Sequence, residues 1–273
     1  MIPQVVIIER LGALCQQDER VVAALLHGSF SRNEGDAYSD IDFSLFFADE
    51  QLPSVDKRAW VEQVAPVAHF YTDPYGHHIA IFENFVRLEL YIKAASAMSE
   101  VSSWQGDVML PSLESALILD RTGELTKYLQ PLLAPSAERN TPEMVQSLSD
   151  VFLNNMLAGS NMLVRGEFAR SLGMLGLSQR YLLWLARLCE HSTHHWWMPN
   201  CRLEQELSPQ AYERYQQCMA RLEPFELKQA YLSTWAWGME MMEQLAQQHQ
   251  FVLPSVFTRF GQRLQHLLGG ATH

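Results

Sequence analysis

Residues 27–43 of the chain read HGSFSRNEGDAYSDIDF and contain the residues that decide the fold. They follow residues 21–26, an apolar run typical of a strand buried in the middle of a sheet. A polar stretch with Gly28 and Ser29 comes next, and a second strand is predicted over residues 40–47. This part of the sequence therefore predicts two strands joined by a glycine-containing polar segment.

Two aspartates open the second predicted strand, and both are predicted to face the same side. Strand side chains alternate between faces, so Asp40 and Asp42 lie on one face, where their like charges favour a bound cation. Taken alone, an Asp-x-Asp pair is more typical of a solvated strand end. The buried strand, the Gly-Ser pair and a loop carrying Arg32 together favour a site for Mg²⁺ bound with substrate phosphates.

A third carboxylate lies in a later predicted strand, residues 86–92, with the sequence VRLELYI. Leu88 and Leu90 define its apolar face, so Glu89 points the other way. An exposed residue on a half-solvated strand is the alternative interpretation. The shared polar face with Arg87 and Tyr91 favours a functional role for Glu89.

The second half of the chain has a different pattern from the first. Residues 131–142 are typical of a linker, and Thr141 followed by Pro142 predicts the start of a helix. Helical spacing continues to a predicted stop at Arg165-Gly166. We therefore expect an α+β fold: a mixed, helix-flanked sheet in residues 1–135 and an all-α helical bundle in residues 141–273. Further helical patterns cover residues 168–190, 208–221, 224–247 and 254–268.

Composition narrows the possible functions. The 273 residues include 20 Lys and Arg against 31 Asp and Glu, a formal net charge of −11 at pH 7. This charge argues against a protein that coats nucleic acid or anionic lipid. Residues 1–130 hold 19 of the acids and 9 of the bases, so the first half is suited to a divalent metal or a cationic substrate.

The cysteines and the longest uncharged segment indicate in which cellular compartment the protein is expected. Four cysteines fall at no disulfide or metal-binding spacing, which favours reduced thiols. The first residues lack a signal-peptide pattern, and the longest uncharged run, residues 151–164, is too short to span a bilayer. We therefore expect a soluble, cytoplasmic protein that uses neither membrane nor nucleic acid.

Three segments carry a resemblance to a known family. The stretch over residues 27–43, the turn IFEN at 81–84 and the segment RGEFARS at 165–171 resemble the lincosamide nucleotidyltransferases. These belong to the nucleotidyltransferase superfamily that includes DNA polymerase beta, and the similarity extends over nearly the whole chain. The resemblance implies antibiotic inactivation by transfer of AMP from ATP, or a nucleotide from another nucleoside triphosphate, to a sugar hydroxyl of lincomycin or clindamycin.

The resemblance also implies roles for individual residues. The three carboxylates would bind metal, with Glu89 as general base, and the glycine-containing segment would hold the nucleotide. The predicted metal-binding and catalytic residues are Asp40, Asp42 and Glu89. The predicted nucleotide-binding residues are Gly28, Ser29, Ser31 and Arg32.

Two other functions remain open from the sequence. An aminoglycoside nucleotidyltransferase is the closer alternative, because both drug families are cationic and the acidic first half does not separate them. A non-antibiotic nucleotidyltransferase or antitoxin-like binding protein is the other. Such domains usually pair with a helical partner on a separate chain, whereas the helical half is fused here. A possible homodimer is implied only by the resemblance.

Overall fold

The computed structural model describes residues 1–105, 108–133 and 138–269. The chain divides into two compact units, Met1–Ala137 and Glu138–His273. The predicted linker begins inside a 3₁₀ helix, Gln130–Leu133, and its residues 134–137 lie outside the described residues. We expect residues 1–135 to form the catalytic domain and residues 141–273 to serve substrate binding or dimerisation, and both assignments stay predictions.

A six-stranded mixed sheet forms the centre of the first unit. Its strand order is β3-β4-β5-β2-β1-β6, with β2 and β5 parallel and every other neighbouring pair antiparallel. The predicted mixed sheet is therefore confirmed. The strands are β1 (Val21–His27), β2 (Ile41–Phe47), β3 (Val67–Thr72), β4 (His78–Phe82), β5 (Arg87–Ala94) and β6 (Leu117–Asp120).

Short helices flank this sheet. The first helix buries Ile7, Leu11 and Cys15 at the spacing of one helical face. The third begins at an aspartate cap, where the Asp56 carboxylate accepts a hydrogen bond of 3.0 Å from the backbone N–H of Ala59. The helices are α1 (Pro3–Gln17), α2 (Gly28–Ser31), α3 (Lys57–Glu62) and α4 (Glu124–Leu129), with 3₁₀ helices at Leu52–Ser54, Ala95–Trp104 and Gln130–Leu133.

The alternation of side chains along β2 and β5 places the polar groups. Phe43 and Leu45 lie in the apolar core on one face of the sheet, whereas Phe46 lies in the core on the other face. Leu88 and Leu90 of β5 join the first of these cores. The polar residues between them therefore point to the opposite face, as the sequence predicts.

The second unit is helical. Thr141 caps its first helix as predicted, because its hydroxyl accepts a hydrogen bond of 3.2 Å from the N–H of Met144. That helix ends at Val164, and Gly166 beyond it has a φ of +79°. The helices are α5 (Pro142–Val164), α6 (Phe168–Cys189), α7 (Leu203–Glu206), α8 (Pro209–Gln216), α9 (Pro224–Gln248) and α10 (Val256–Leu268).

The large apolar residues of these helices form one core. Phe152 of α5 stacks on Trp235 of α9, with ring centroids 5.7 Å apart, and Trp235 meets Phe260 of α10 edge to face at 4.6 Å. The Tyr231 hydroxyl donates to the Ser171 carbonyl at 2.8 Å, so the polar end of this buried ring is satisfied. Among the described residues, no helix has the length and apolar character needed to cross a membrane.

Candidate active site

Three carboxylates meet near the N-terminal ends of two central strands of the sheet. Asp40 lies immediately before β2, Asp42 lies on β2, and Glu89 lies on the neighbouring strand β5. The parallel register pairs Asp42 with Glu89 directly across the two strands. One oxygen from each of the three carboxylates lies within 4.8 Å of the others. The residues that the sequence selects for metal binding are thus brought together by strand pairing.

The pKa of Asp42 reflects its burial and its neighbouring charges. This pKa is raised from 3.8 to about 7. Burial is the largest cause, and the charges of Asp40 and Glu89 add to it, whereas those of Arg87 and Arg32 oppose it. Ionised carboxylates at this distance repel one another in a partly buried site. A cation bound among them would favour the ionised form of all three.

Glu89 is surrounded by hydrogen-bond donors. The hydroxyl of Tyr91 donates to Oε1 at 2.7 Å, and Arg87 donates to Oε2. His77 lies close as well, with Nδ1 at 3.5 Å from Oε1. Burial works to raise the pKa of Glu89, but these hydrogen bonds and the charge of Arg87 outweigh it and lower the pKa. Glu89 is therefore an ionised carboxylate with a fixed orientation.

Arg87 connects two members of the cluster. Its guanidinium donates to Asp40 Oδ2 at 2.5 Å and also to Glu89. Arginine can contact two carboxylates at once because its donors form a planar fork. The guanidinium contributes a single positive charge to three carboxylates, so the cluster stays net negative. This donor set of closely spaced carboxylate oxygens fits a hard divalent cation.

Gly28 explains how Asp42 reaches its position. Gly28 is predicted from the sequence to bind the nucleotide. In the structure, a Cβ added at Gly28 would lie 1.9 Å from Asp42 Oδ2, and the residue has a φ of +68°. Glycine therefore serves a close approach between this turn and the Asp42 carboxylate, as well as a left-handed backbone conformation.

The other predicted nucleotide-binding residues differ in their surroundings. The Ser29 hydroxyl oxygen is buried and has no hydrogen-bond partner among the described residues. Ser31 is fully buried, and its hydroxyl donates to the Gly28 carbonyl at 3.0 Å. Arg32 forms an ion pair of 2.9 Å with Glu34. Ser29 is thus the member of this set with a buried donor left to satisfy.

The sequence pattern does not predict that a side chain of the β3–β4 hairpin lies next to Glu89. His77 belongs to the turn before β4, and only the antiparallel register of β4 with β5 carries it to Glu89. His27, by contrast, is a buried residue at the end of β1. Burial lowers the pKa of His27 to about 4, and its Nε2 lies 3.2 Å from the Ser44 hydroxyl.

Two family models match the chain. Residues 7–128 match the nucleotidyltransferase domain, and residues 141–263 match the lincosamide nucleotidyltransferase-like C-terminal domain. A mixed sheet with a carboxylate cluster and this pair of domains define the class of protein. The chain belongs to the nucleotidyltransferases that carry a lincosamide nucleotidyltransferase-like C-terminal domain.

Solved structures also match the chain, at low sequence identity. The crystal structure of an aminoglycoside 6-adenyltransferase from Bacillus subtilis is 13% identical, with 96% of both chains covered and a TM-score of 0.45. That of a nucleotidyltransferase-like protein from Exiguobacterium sibiricum 255-15 is 15% identical, with 96% of this chain and 87% of that chain covered and a TM-score of 0.31. No curated protein matches the sequence significantly.

Proposed function

We propose that this nucleotidyltransferase transfers AMP from ATP to a sugar hydroxyl of a lincosamide antibiotic and releases pyrophosphate. The meeting of Asp40, Asp42 and Glu89 within 4.8 Å carries the proposal. The match of residues 141–263 to the lincosamide nucleotidyltransferase-like domain supports the choice of acceptor. Residues 141–273 are accordingly proposed to serve substrate binding and dimerisation.

The three carboxylates are the proposed ligands of Mg²⁺. Hard oxygen ligands and a net negative cluster suit this ion, which is commonly bound together with substrate phosphates. When bound, a divalent cation supplies the positive charge that stabilises the α-phosphoryl group and the departing pyrophosphate. Gly28 supports this arrangement, because any side chain there would displace the Asp42 carboxylate.

Glu89 is the proposed general base. A sugar hydroxyl is a weak nucleophile until its proton leaves, and a positioned carboxylate can accept that proton. Tyr91 and Arg87 hold the Glu89 oxygens in place and keep the group ionised at neutral pH. The acceptor oxygen then forms a bond to the α-phosphorus as the bond to pyrophosphate breaks, and the proton passes to Glu89.

The turn after β1 is proposed to hold the triphosphate. The Ser29 hydroxyl has no hydrogen-bond partner within the part of the chain that the structure describes, which supports a direct hydrogen bond from this residue to a phosphate oxygen. Arg32 would add a positive charge from the same turn, and its guanidinium can bind two phosphate oxygens. The Ser31 hydroxyl is engaged with Gly28, so we propose that Ser31 acts by shaping the turn.

Product analysis tests the reaction. The purified protein is incubated with ATP, Mg²⁺ and lincomycin, clindamycin or kanamycin, and both phosphate products are quantified. We expect pyrophosphate, AMP-modified lincosamide by mass spectrometry, and no product without an acceptor. Release of orthophosphate would identify a phosphotransferase instead. Pyrophosphate release with kanamycin alone would identify an aminoglycoside as the acceptor and contradict the proposed substrate.

A further inference from the structure

Three rings form a row across the first unit. Tyr75 and His77 are stacked with ring centroids 6.2 Å apart and an interplanar angle of 30°. His77 and Tyr91 follow, with centroids 4.2 Å apart and an angle of 45°. Tyr75 is 85% exposed, His77 is partly exposed and Tyr91 is half-buried. The row therefore runs from solvent toward the sheet and offers ring surface along its length.

The inner end of the row lies against Glu89. The Tyr91 hydroxyl is 2.7 Å from Glu89 Oε1, and His77 Nδ1 is 3.5 Å from the same oxygen. A molecule lying along these rings would therefore bring its inner end close to the carboxylate proposed as general base. This is the position that an acceptor hydroxyl needs.

The strand order separates this row from the proposed triphosphate site. Gly28 and Ser29 follow β1, which lies beyond β2 as seen from β5. His77 precedes β4, which is the neighbour of β5 on the opposite side. Tyr75 and His77 thus approach Glu89 from the β4 side, whereas the inner ring, Tyr91, also contacts His27, with ring centroids 5.1 Å apart. A nucleotide and a second molecule can then reach the carboxylates from different directions.

The turn that carries the outer rings is held by Asp73. Its Oδ1 accepts hydrogen bonds from the backbone N–H groups of Tyr75 at 2.9 Å and His77 at 2.8 Å, and Oδ2 lies 3.2 Å from His77 Nδ1. The pKa of Asp73 is lowered, because its backbone hydrogen bonds together outweigh the effect of burial. Asp73 therefore adds a negative charge beside the ring faces.

We propose that Tyr75, His77 and Tyr91 form the binding platform for the acceptor, with Tyr75 at its outer end and Tyr91 beside Glu89. Ring faces attract cations and accommodate the apolar face of a sugar, and the carboxylates of Asp73 and Glu89 favour a positive charge nearby. This assignment rests on the proposed nucleotidyl transfer, because it names the acceptor side of that same site.

Acceptor binding in three variants tests the platform. Calorimetry measures lincomycin and kanamycin binding to the full chain with Mg²⁺ and a non-hydrolysable ATP analogue. We expect Tyr75→Ala to raise the Kd of the bound antibiotic about five- to tenfold, since an exposed ring contact of this kind is lost. Tyr38→Ala is the matched control, because Tyr38 is 97% exposed in another loop of the same unit. It should leave that Kd unchanged.

Asp73→Asn separates charge from shape. Asparagine retains the carbonyl oxygen that accepts from Tyr75 and His77, so the turn can persist without the charge. We expect a Kd several-fold higher than that of the wild type at low salt, with the difference shrinking as ionic strength rises. The Kd of the ATP analogue should stay the same in all three variants, because none of the three residues belongs to the proposed phosphate contacts.

Distinct results would overturn the platform and the proposed reaction. Antibiotic Kd values that are equal in Tyr75→Ala, Tyr38→Ala and wild type would overturn the platform while pyrophosphate release still supports transfer. A Tyr75→Ala variant that changes its elution in gel filtration, with an unchanged antibiotic Kd, would identify the rings as a protein interface and would also overturn it. Absence of pyrophosphate release by the wild type with every antibiotic would overturn the reaction itself.

Discussion

Two groups of charged side chains, one in each unit, have opposite characters. In the first unit, three carboxylates lie within 4.8 Å of one another around the single guanidinium of Arg87. In the second, Arg187 is completely buried and donates to the carbonyls of Pro199, Ser192 and Cys201 and to the carboxylate of Glu206.

The difference shows what each group is built to do. The Arg187 network satisfies its own hydrogen bonds within the protein, and it fixes the segment between α6 and α7. Arg187 and His195 also lower the pKa of Glu206 against the opposing effect of burial. The carboxylate cluster leaves negative charge uncompensated and raises the pKa of Asp42. A satisfied network stabilises a fold, whereas an unbalanced one is ready for a ligand.

The largest effect is expected from removing a charge in the carboxylate cluster. Asp40→Asn and Asp42→Asn should each reduce kcat by about 10⁴-fold or more, because metal charge and nucleotide positioning are lost together. Steady-state pyrophosphate release measures this, and circular dichroism should show an unchanged fold. Glu83→Gln, at an exposed carboxylate before β5, is the control and should keep wild-type turnover. Near-normal Mg²⁺-dependent activity in either aspartate variant would refute the metal assignment.

A smaller loss is expected at the proposed base. Glu89→Gln should lower kcat on the order of 10²–10⁴-fold, because glutamine keeps the size of the side chain but accepts no proton. The nucleotide Kd should change much less, since Ser29 and Arg32 lie on the other side of the cluster. Single-turnover rates and equilibrium binding of an ATP analogue check the two quantities separately. Normal turnover would mean that another group accepts the proton.

Mutation of the Arg187 network should lower the stability of the protein and leave its turnover unchanged. Arg187→Met should lower the free energy of unfolding by about 3–5 kcal/mol, because Glu206 and several carbonyls lose a buried partner. Urea denaturation measures the change. Arg214→Met provides the comparison: Arg214 pairs with the exposed Glu240, and its loss should cost about 1 kcal/mol or less. Equal losses in both variants would remove the distinction between the two networks.

The smallest effect is a pH dependence of stability. The pKa of Asp42 is 3.8 in an unfolded chain and about 7 in the folded protein, so the folded state binds more protons between these values. Stability contributed by this group therefore falls as pH rises from about 4 to about 7 and is level above that. Without metal, the Tm advantage of Asp42→Asn over wild type should grow across this interval. An advantage independent of pH would contradict the shifted pKa.

The sequence predicts this site better than it predicts its surroundings. Asp40, Asp42 and Glu89 stand out because a two-residue period fixes which face each side chain occupies once a strand is recognised. His77 gives no such signal, because its nearness to Glu89 depends on the register between β4 and β5. Cross-strand register is a long-range property that a local pattern does not contain.

The helices and strands show the same difference: those fixed by local sequence are predicted, and those fixed by distant contacts are not. The cap at Thr141 is local chemistry and is found where the sequence predicts it. The strand at Leu117–Asp120 and the helix Glu124–Leu129 were not predicted. The strand is only four residues long, and it is stabilised by pairing with β1 rather than by a pattern of its own. The sequence predicts nucleotide binding for Gly28, which stays a prediction, whereas the atom it makes room for in the structure belongs to Asp42.

The parallel pairing of β2 with β5 also has a consequence for how the protein is made. Parallel neighbours cannot be joined by a tight turn, and here the chain completes the β3–β4 hairpin before β5 returns beside β2. Contacts between such distant segments are slow to form during folding, since a long loop must close first. On the ribosome, β1 and β2 emerge well before Glu89 exists to pair with Asp42. The carboxylate cluster should therefore assemble in one step, when β5 inserts between β4 and β2 and joins the hairpin to the rest of the sheet.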